Sequence, residues 1–190
     1  SRAERRRLDA EQIRDSLLLI GGGLDSPPSG PHPFPPRHAW GFTQHNPFFA
    51  TYETRSRSVY LMQQRLRKHP YLALFDGADP SSSTAVRLPS TTPLQALFTL
   101  NGTLAHEESA KFAQRIASAA SDDQGRINWA YRTAYTRDPT SDELAECATF
   151  LSTYRERLAS VKVPAGEIEQ RTWSALSRAL LGANEFVYID

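Results

Sequence analysis

The sequence contains a single cysteine, Cys147, among 190 residues, so no disulfide can form within the chain. It also lacks any apolar run approaching the ~18 residues that a membrane-spanning helix needs. The formal net charge is only +1, which gives no overall attraction to nucleic acid or to an anionic membrane. These absences exclude a disulfide scaffold. They also predict that the chain does not insert directly into a membrane and does not bind nucleic acid.

Signatures of established chemistry are missing as well. The chain has no Cys-x-x-Cys-His for haem, no His-Glu-x-x-His for zinc, no Gly-x-Ser-x-Gly elbow and no phosphate-binding loop. The nearest approaches are His106-Glu107-Glu108, without a second histidine, and Gly21-Gly22-Gly23, without a following lysine. No metal or cofactor is expected, and the sequence favours a non-catalytic protein.

What is present fits one soluble domain over residues 1–190, because hydrophobic residues make up 39% of the chain and aromatic residues 10%. The charges are unevenly placed. Residues 1–70 contain 11 Lys and Arg against 6 Asp and Glu, whereas residues 71–190 contain 11 against 15. The two parts can dock on each other, one part can face an anionic partner, or the charges simply form solvated helix faces.

Apolar residues recur at helical spacing through most of the chain, and no alternating run is long enough to indicate a sheet. We therefore predict an all-α fold of about seven helices in one compact domain. The predicted segments are 3–20, 56–67, a turn at 71–75, a helix from Pro93 to Asn101, 103–120, one around 127–135, one that begins at Thr140 and one that Asn184 ends.

Three local signals sharpen these predictions. Gly21-Gly22-Gly23 ends the first helix, Thr91 or Thr92 caps the helix that begins at Pro93, and Thr140 with Glu143 forms a capping box. The predicted core face of the Pro93 helix is Leu94, Leu97, Phe98 and Leu100. The predicted apolar stripe of the 56–67 helix is Val59, Met62 and Leu66.

Residues 25–47 form a proline-rich segment, with seven of the 13 prolines of the chain. Such a segment favours an extended polyproline conformation over helix or central strand. One interpretation is an arm that wraps over the domain and fixes Trp40 and Phe42 in its surface. The alternative is a flexible segment that binds a partner.

Candidate site residues cluster loosely in the centre of the sequence. Asp76 and Asp79 precede the hydroxyl run 81–84, and such oxygen-rich loops can hold calcium, although Asx turns explain the same residues. Either aspartate can also act in acid–base chemistry with His45 or His69. No spacing forces these groups together. Cys147 lies in an apolar helical pattern and is expected to be a buried thiol rather than a nucleophile.

The basic cluster over 55–68 offers a second possibility, because arginine side chains match sulfate, phosphate and carboxylate groups. A ligand site would involve Arg57, Arg65, Asp76 and Asp79, with His45 or His69 as the titrating group. Structural pairing of an arginine with Asp76 or Asp79 is the simpler interpretation. Packing of arginines on Tyr52, Tyr60 or Trp40 would also be structural.

Six segments of the chain, taken in order, carry a family resemblance. They are RRRLDAEQIRDSLL, RSRSVYL, FDGADPSSST, STTPLQALFTLN, AYRTAYTRDPTSDEL and ALLGANEFVYID. In this combination the chain resembles the C-terminal domain of planctomycete-type exported proteins associated with cytochrome c, a domain of unknown function (fifteen fifty-three).

The resemblance implies a bacterial, extracytoplasmic setting and a longer protein whose haem-binding domain lies elsewhere. It supplies no catalytic residues. We expect a helical docking module whose partners are other domains of the same protein. The alternative is a module that binds or cleaves anionic polysaccharide, an association that rests on the family context alone.

Overall fold

The structure, a computed structural model, describes residues 5–189. The predicted all-α fold class is confirmed, and within these residues the only sheet is an antiparallel pair of two-residue strands. The helices are α1 (Ala10–Gly21), α2 (Pro70–Leu74), α3 (Pro93–Asn101), α4 (Thr103–Ala119), α5 (Asp123–Tyr135), α6 (Ser141–Ser160), α7 (Ala165–Leu181) and α8 (Asn184–Val187). The strands are β1 (Arg6–Arg7) and β2 (Tyr188–Ile189), and 3₁₀ turns span Arg37–Ala39 and Ser58–Tyr60.

The core forms around α4, which packs against α1, α3, α5 and α7. Phe112 of α4 is fully buried, and Leu151 of α6 and Trp173 of α7 are buried with it. Loss of such a large side chain from a core costs roughly 3–5 kcal/mol. This packed centre holds α1, α3 and α4 in place, and the candidate sites lie on these helices.

The first helix begins later than predicted, at Ala10 rather than residue 3. Asp9 and Gln12 form a capping box, which satisfies free backbone N–H groups and starts the helix there. The preceding Arg6 and Arg7 are extended and pair with β2 at the other end of the chain. Residues 3 and 4 lie outside the described residues. The glycine stop is confirmed, because Gly22 takes the left-handed conformation at φ 82°.

The predicted 56–67 helix is wrong, since only a single 3₁₀ turn forms in this segment. Its backbone is held by α1 instead: Arg14 donates to the Ser56 carbonyl at 3.0 Å, and the Ser58 N–H donates to Asp15 at 2.8 Å. Groups engaged in this way cannot form a helical ladder. As a result Val59 and Leu66 are exposed.

The proline-rich segment 25–47 contains one 3₁₀ turn and otherwise has an irregular course. His32 stacks on Tyr52 at 5.5 Å and contacts the Tyr60 carbonyl through Nε2 at 2.8 Å. Trp40 and Phe42 pack against each other rather than into the helical core. The rings of this exposed cluster are Phe34, Trp40, Phe42 and Phe48.

The last helix ends at Leu181, so the prediction that Asn184 ends it is wrong. Gly182 and the extended Ala183 interrupt the ladder, and Asn184 instead begins the short helix α8. Phe186 of α8 is buried against the core. The chain then continues into β2 beside β1.

Candidate functional sites

Asp76 lies in a dense hydrogen-bonded network rather than in an open site. It accepts from Arg7 Nη2 at 3.2 Å, from the Ser90 N–H at 2.7 Å and from Gln95 Nε2 at 3.2 Å. Burial would raise the pKa of Asp76, but the Ser90 hydrogen bonds outweigh this and lower it. The predicted pairing with an arginine therefore exists, although the partner is Arg7 and not a member of the 55–68 cluster.

Asp79 forms a local turn. Its carboxylate accepts from the Ser81 N–H at 2.8 Å and the Ser81 hydroxyl at 2.6 Å, the Asx-turn pattern that explains this loop without an ion. Among residues 5–189 no group of three or more His, Cys, Asp and Glu side chains is placed to hold a metal.

The other predicted site residues lie apart from these aspartates. Arg57, Arg65 and His45 are exposed, and within residues 5–189 no hydrogen bond or ion pair engages their side chains. Arg57 lines a cleft of about 950 Å³ beside α1, where Asp9, Glu11 and Asp15 also contribute carboxylates. Arg87 lines the same cleft and pairs with Glu11 at 2.6 Å, so its two arginines face three carboxylates and leave no excess of positive charge for an anionic ligand.

His69 lines a different and more central cleft of about 970 Å³. It lies between α1, α2, the α3–α4 junction and the extended segment 51–55. Pockets that bind small molecules typically enclose about 300–1,000 Å³ and combine an apolar lining with a few polar groups. The apolar side chains that line this one are Leu18, Leu61, Tyr71, Leu74, Phe98 and Leu104.

Three groups in the central cleft have perturbed protonation equilibria. Burial lowers the pKa of Arg14 and raises that of Tyr71, whose hydroxyl donates to the Ala10 carbonyl at 2.8 Å. Burial and the nearby Arg14 charge lower the pKa of His69, so its imidazole is neutral at pH 7. His69 Nδ1 is buried and has no hydrogen-bond partner within the described chain. Such perturbed groups in a cleft mark a candidate site.

A second candidate is the outer face of α3. Leu94, Leu97 and Leu100 are 65%, 52% and 52% exposed, and their spacing of three residues places them on one side of the helix. The prediction that these three side chains face the core is wrong. Only Phe98 of the predicted set turns inward, where it packs on Tyr71 and Phe75. We call Leu94, Leu97 and Leu100 the leucine face.

The orientation of α3 follows from hydrogen bonds on its opposite side. Gln95 is buried and donates to the Leu74 carbonyl at 2.8 Å, while Arg7 Nη1 donates to Gln95 Oε1 at 2.9 Å. These bonds and the Phe98 ring fix the inner side. The leucine face is then left outward and exposed, although a stripe of this kind is typical of the side of a helix that is buried.

A sequence profile for PSD1, described as a protein of unknown function (DUF1553), matches residues 1–151. The chain belongs to this family. The match covers α1 to α5 and half of α6, so both the central cleft and the leucine face of this DUF1553 domain lie within it. The 179–190 segment of the resemblance lies beyond the match. No curated protein and no solved structure matches the chain.

Sequence reasoning missed the charged residues of the central cleft of this DUF1553 domain. Arg14, Glu53 and Glu107 line the cleft, yet none was predicted as a site residue. A signal existed for Arg14, because it occupies the same side of α1 as Ala10 and Leu17 and is 6% exposed. An arginine within an apolar stripe indicates a buried polar site. Glu53 and Glu107 carry no comparable signal.

Cys147 is buried, as predicted. Its Sγ lies 3.8 Å from the Tyr131 hydroxyl, and burial raises the pKa of the thiol. A raised pKa leaves little thiolate at pH 7, so the structural interpretation of this residue stands. No described helix of the DUF1553 domain is long and apolar enough to cross a lipid bilayer.

Proposed function

We propose that this DUF1553 domain is a non-catalytic helical docking module of a larger, exported bacterial protein associated with cytochrome c. The observation that carries the proposal is the leucine face of α3. The extracytoplasmic setting and the cytochrome association rest on the family resemblance.

The energetics favour burial of the leucine face by a partner. Fully burying one leucine side chain contributes about 1.5–3 kcal/mol relative to leaving it exposed. Contiguous apolar patches on a soluble domain commonly mark interaction sites. Leu94, Leu97 and Leu100 are held in place by the buried inner side of α3, so little ordering of the helix opposes association.

The positions of β1 and β2 support a partner within the same polypeptide. Arg7 of β1 contacts Gln95 of α3 at 2.9 Å, and Thr91 contacts Tyr188 of β2 at 3.2 Å. Both strands therefore contact α3 or the residues just before it, and α3 carries the leucine face. Other domains of the same polypeptide are thus the proposed occupants.

Binding between this domain and the remaining domains of the full-length protein tests the proposal. Leu94→Ser combined with Leu97→Ser should weaken binding by at least about tenfold, since two apolar anchors are lost. The matched control is Val59→Ser with Leu66→Ser, because these side chains are 70% and 74% exposed but lie outside α3. Equal affinities for both double variants would contradict the proposal.

The alternative, binding or cleavage of anionic polysaccharide, has weaker support. Arg57 shares its cleft with three carboxylates, and Arg65 is exposed with no neighbouring site residue. Isolated surface cations of this kind bind anions weakly and are screened by salt. We therefore propose docking as the function of this domain.

A further inference from the structure

The central cleft is separate from the leucine face and has a chemistry of its own. Phe98 of α3 points into the cleft, whereas Leu94 and Leu97 of the same helix point to solvent. We propose that the central cleft binds a small organic ammonium ion, a positively charged amine attached to an apolar group.

The apolar part of such a ligand has a complementary surface. Tyr71 and Phe98 lie in ring contact at 5.4 Å, and Leu74 and Leu104 extend the same surface. Aromatic rings bind apolar groups by contact, and they also attract cations through the negative charge of the ring face. The lining therefore suits both parts of an amine with an apolar body.

The two arginines of the cleft are already engaged by the protein. Arg14 donates through Nη1 to the Ser56 carbonyl at 3.0 Å and to the Ser58 hydroxyl at 3.1 Å. Arg55 donates to both carboxylate oxygens of Glu108 at 2.9 Å. An anionic ligand would have to compete with these partners for the same two guanidinium groups.

The two glutamates of the cleft interact with its basic groups only through space: Glu53 with Arg14 and His69, and Glu107 with Arg55. Glu53 and Glu107 are exposed, and within residues 5–189 neither carboxylate forms a hydrogen bond or an ion pair with another side chain. His69 adds no positive charge at pH 7, because burial and Arg14 lower its pKa. Arg14 does place a positive charge near His69, but the residue is 6% exposed and its guanidinium is turned to Ser56 and Ser58. The exposed carboxylates of Glu53 and Glu107 are therefore the charges that a ligand in the cleft can reach, and they complement an ammonium group.

The test uses three probes with the same ring and different charges: benzylamine, benzyl alcohol and benzoate. Their affinities for the folded chain are measured at pH 7 and low salt by chemical-shift titration. We expect benzylamine to bind about fivefold tighter than benzyl alcohol, the scale of one exposed ion pair. Benzoate should bind weakest. Equal affinities for the amine and the alcohol, or no binding of any probe, would overturn the proposal.

Surface variants then locate the charge preference. Glu53→Gln and Glu107→Gln should each bring the affinity for benzylamine toward that for benzyl alcohol. Both residues are exposed, so these variants leave the core untouched. Glu156→Gln, on the exposed surface of α6 and outside the cleft, is the matched control. A loss of amine preference in Glu156→Gln equal to that in the cleft variants counts against the site.

A filled cleft provides a second and independent readout. Leu104→Trp places a larger apolar side chain on the lining, and circular dichroism confirms that the variant is folded. Binding of all three probes should then be lost. Benzylamine binding that survives in the folded variant would show that the amine binds elsewhere and would reject the cleft. Binding of the full-length protein's other domains to the same variant is measured alongside and should be retained, because the leucine face is unchanged.

Discussion

Arg55 and Glu108 form a two-pronged ion pair in which both N–O distances are 2.9 Å. The Glu108 side chain is fully buried, and Lys111 adds a third hydrogen bond at 2.9 Å. The pair joins the basic first part of the sequence to its acidic second part, as Arg7 and Asp76 do elsewhere. Docking of the two parts on each other therefore explains a portion of the charge asymmetry.

Replacement of Glu108 by glutamine should destabilise the fold by roughly 2–3 kcal/mol. Removing one partner of a buried ion pair commonly costs about 3–5 kcal/mol, and we expect less here because Arg55 and Lys111 are partly exposed. Urea unfolding measures the difference, with Glu107→Gln as the exposed neighbour for comparison. Indistinguishable unfolding midpoints for the two variants would mean that the pair contributes nothing.

Gly23→Ala should disrupt the same ion pair by displacing its other partner, Arg55. A methyl group at Gly23 would lie 1.8 Å from Arg55 Nη2, so the guanidinium has to leave its position over Glu108. Gly30→Ala is the control, because its added methyl group meets nothing within 4 Å.

The Gly23→Ala variant should lose about 2 kcal/mol of stability, mostly because the buried Glu108 carboxylate loses its Arg55 partner. Combining it with Glu108→Gln should therefore cost less than the sum of the two single changes. A strictly additive double variant would contradict this coupling.

Acid should destabilise the domain partly through Glu143. Hydrogen bonds from Arg137 lower the pKa of Glu143 from 4.5 to about 2 in the folded state. The unfolded chain keeps the ordinary value, so it takes up the proton first as the pH falls. The stabilisation is complete above about pH 4.5 and is lost as the pH falls toward 2.

A glutamine at position 143 cannot titrate, so Glu143→Gln should show a flatter loss of unfolding free energy over this pH range. It should also be less stable than the wild type at pH 7. Urea titrations at several pH values measure both effects, with Glu156→Gln as the control. Parallel pH profiles for wild type and Glu143→Gln would show that the Arg137 pair does not contribute.

Asp76 and Asp79 should differ sharply on replacement by alanine. Asp76→Ala removes the partner of Arg7, whose side chain is 7% exposed, and places alanine at a left-handed φ of 59°. The expected cost is roughly 2–3 kcal/mol.

Asp79→Ala should leave the unfolding midpoint nearly unchanged, because its carboxylate serves only an exposed turn. Asp76→Asn should fall between the two, since asparagine tolerates the left-handed conformation but cannot pair with Arg7. Similar midpoints for all three variants would contradict the structural role of Asp76.

The sequence predicted helix boundaries well where side-chain chemistry marks them. Thr92 caps α3, Thr140 caps α6 through the predicted capping box with Glu143, and Gly22 ends α1. These signals are local, so they are readable without knowledge of the fold.

Predictions failed where distant residues decide the structure. The 56–67 segment has helical spacing, but Arg14 and Asp15, about 40 residues earlier, hold its backbone in another conformation. The central cleft likewise brings together Arg14, Glu53 and Glu107 from three separate segments. Spacing alone could not have assembled them.

The leucine face shows a different limit of prediction from sequence. A stripe such as Leu94, Leu97 and Leu100 has the same spacing whether it faces the core of its own domain or that of a partner. Only the fixed inner positions of Gln95 and Phe98 show which side of α3 is outward.

The most direct test of docking is the solvent accessibility of the leucine face in two contexts. Hydroxyl-radical footprinting of Leu94, Leu97 and Leu100 is compared between the isolated domain and the full-length protein, with the exposed Val161 at the C-terminal end of α6 as the reference. The docking account predicts strong protection of the three leucines in the full-length protein and unchanged labelling of Val161. Equal labelling of the leucine face in both proteins would contradict it.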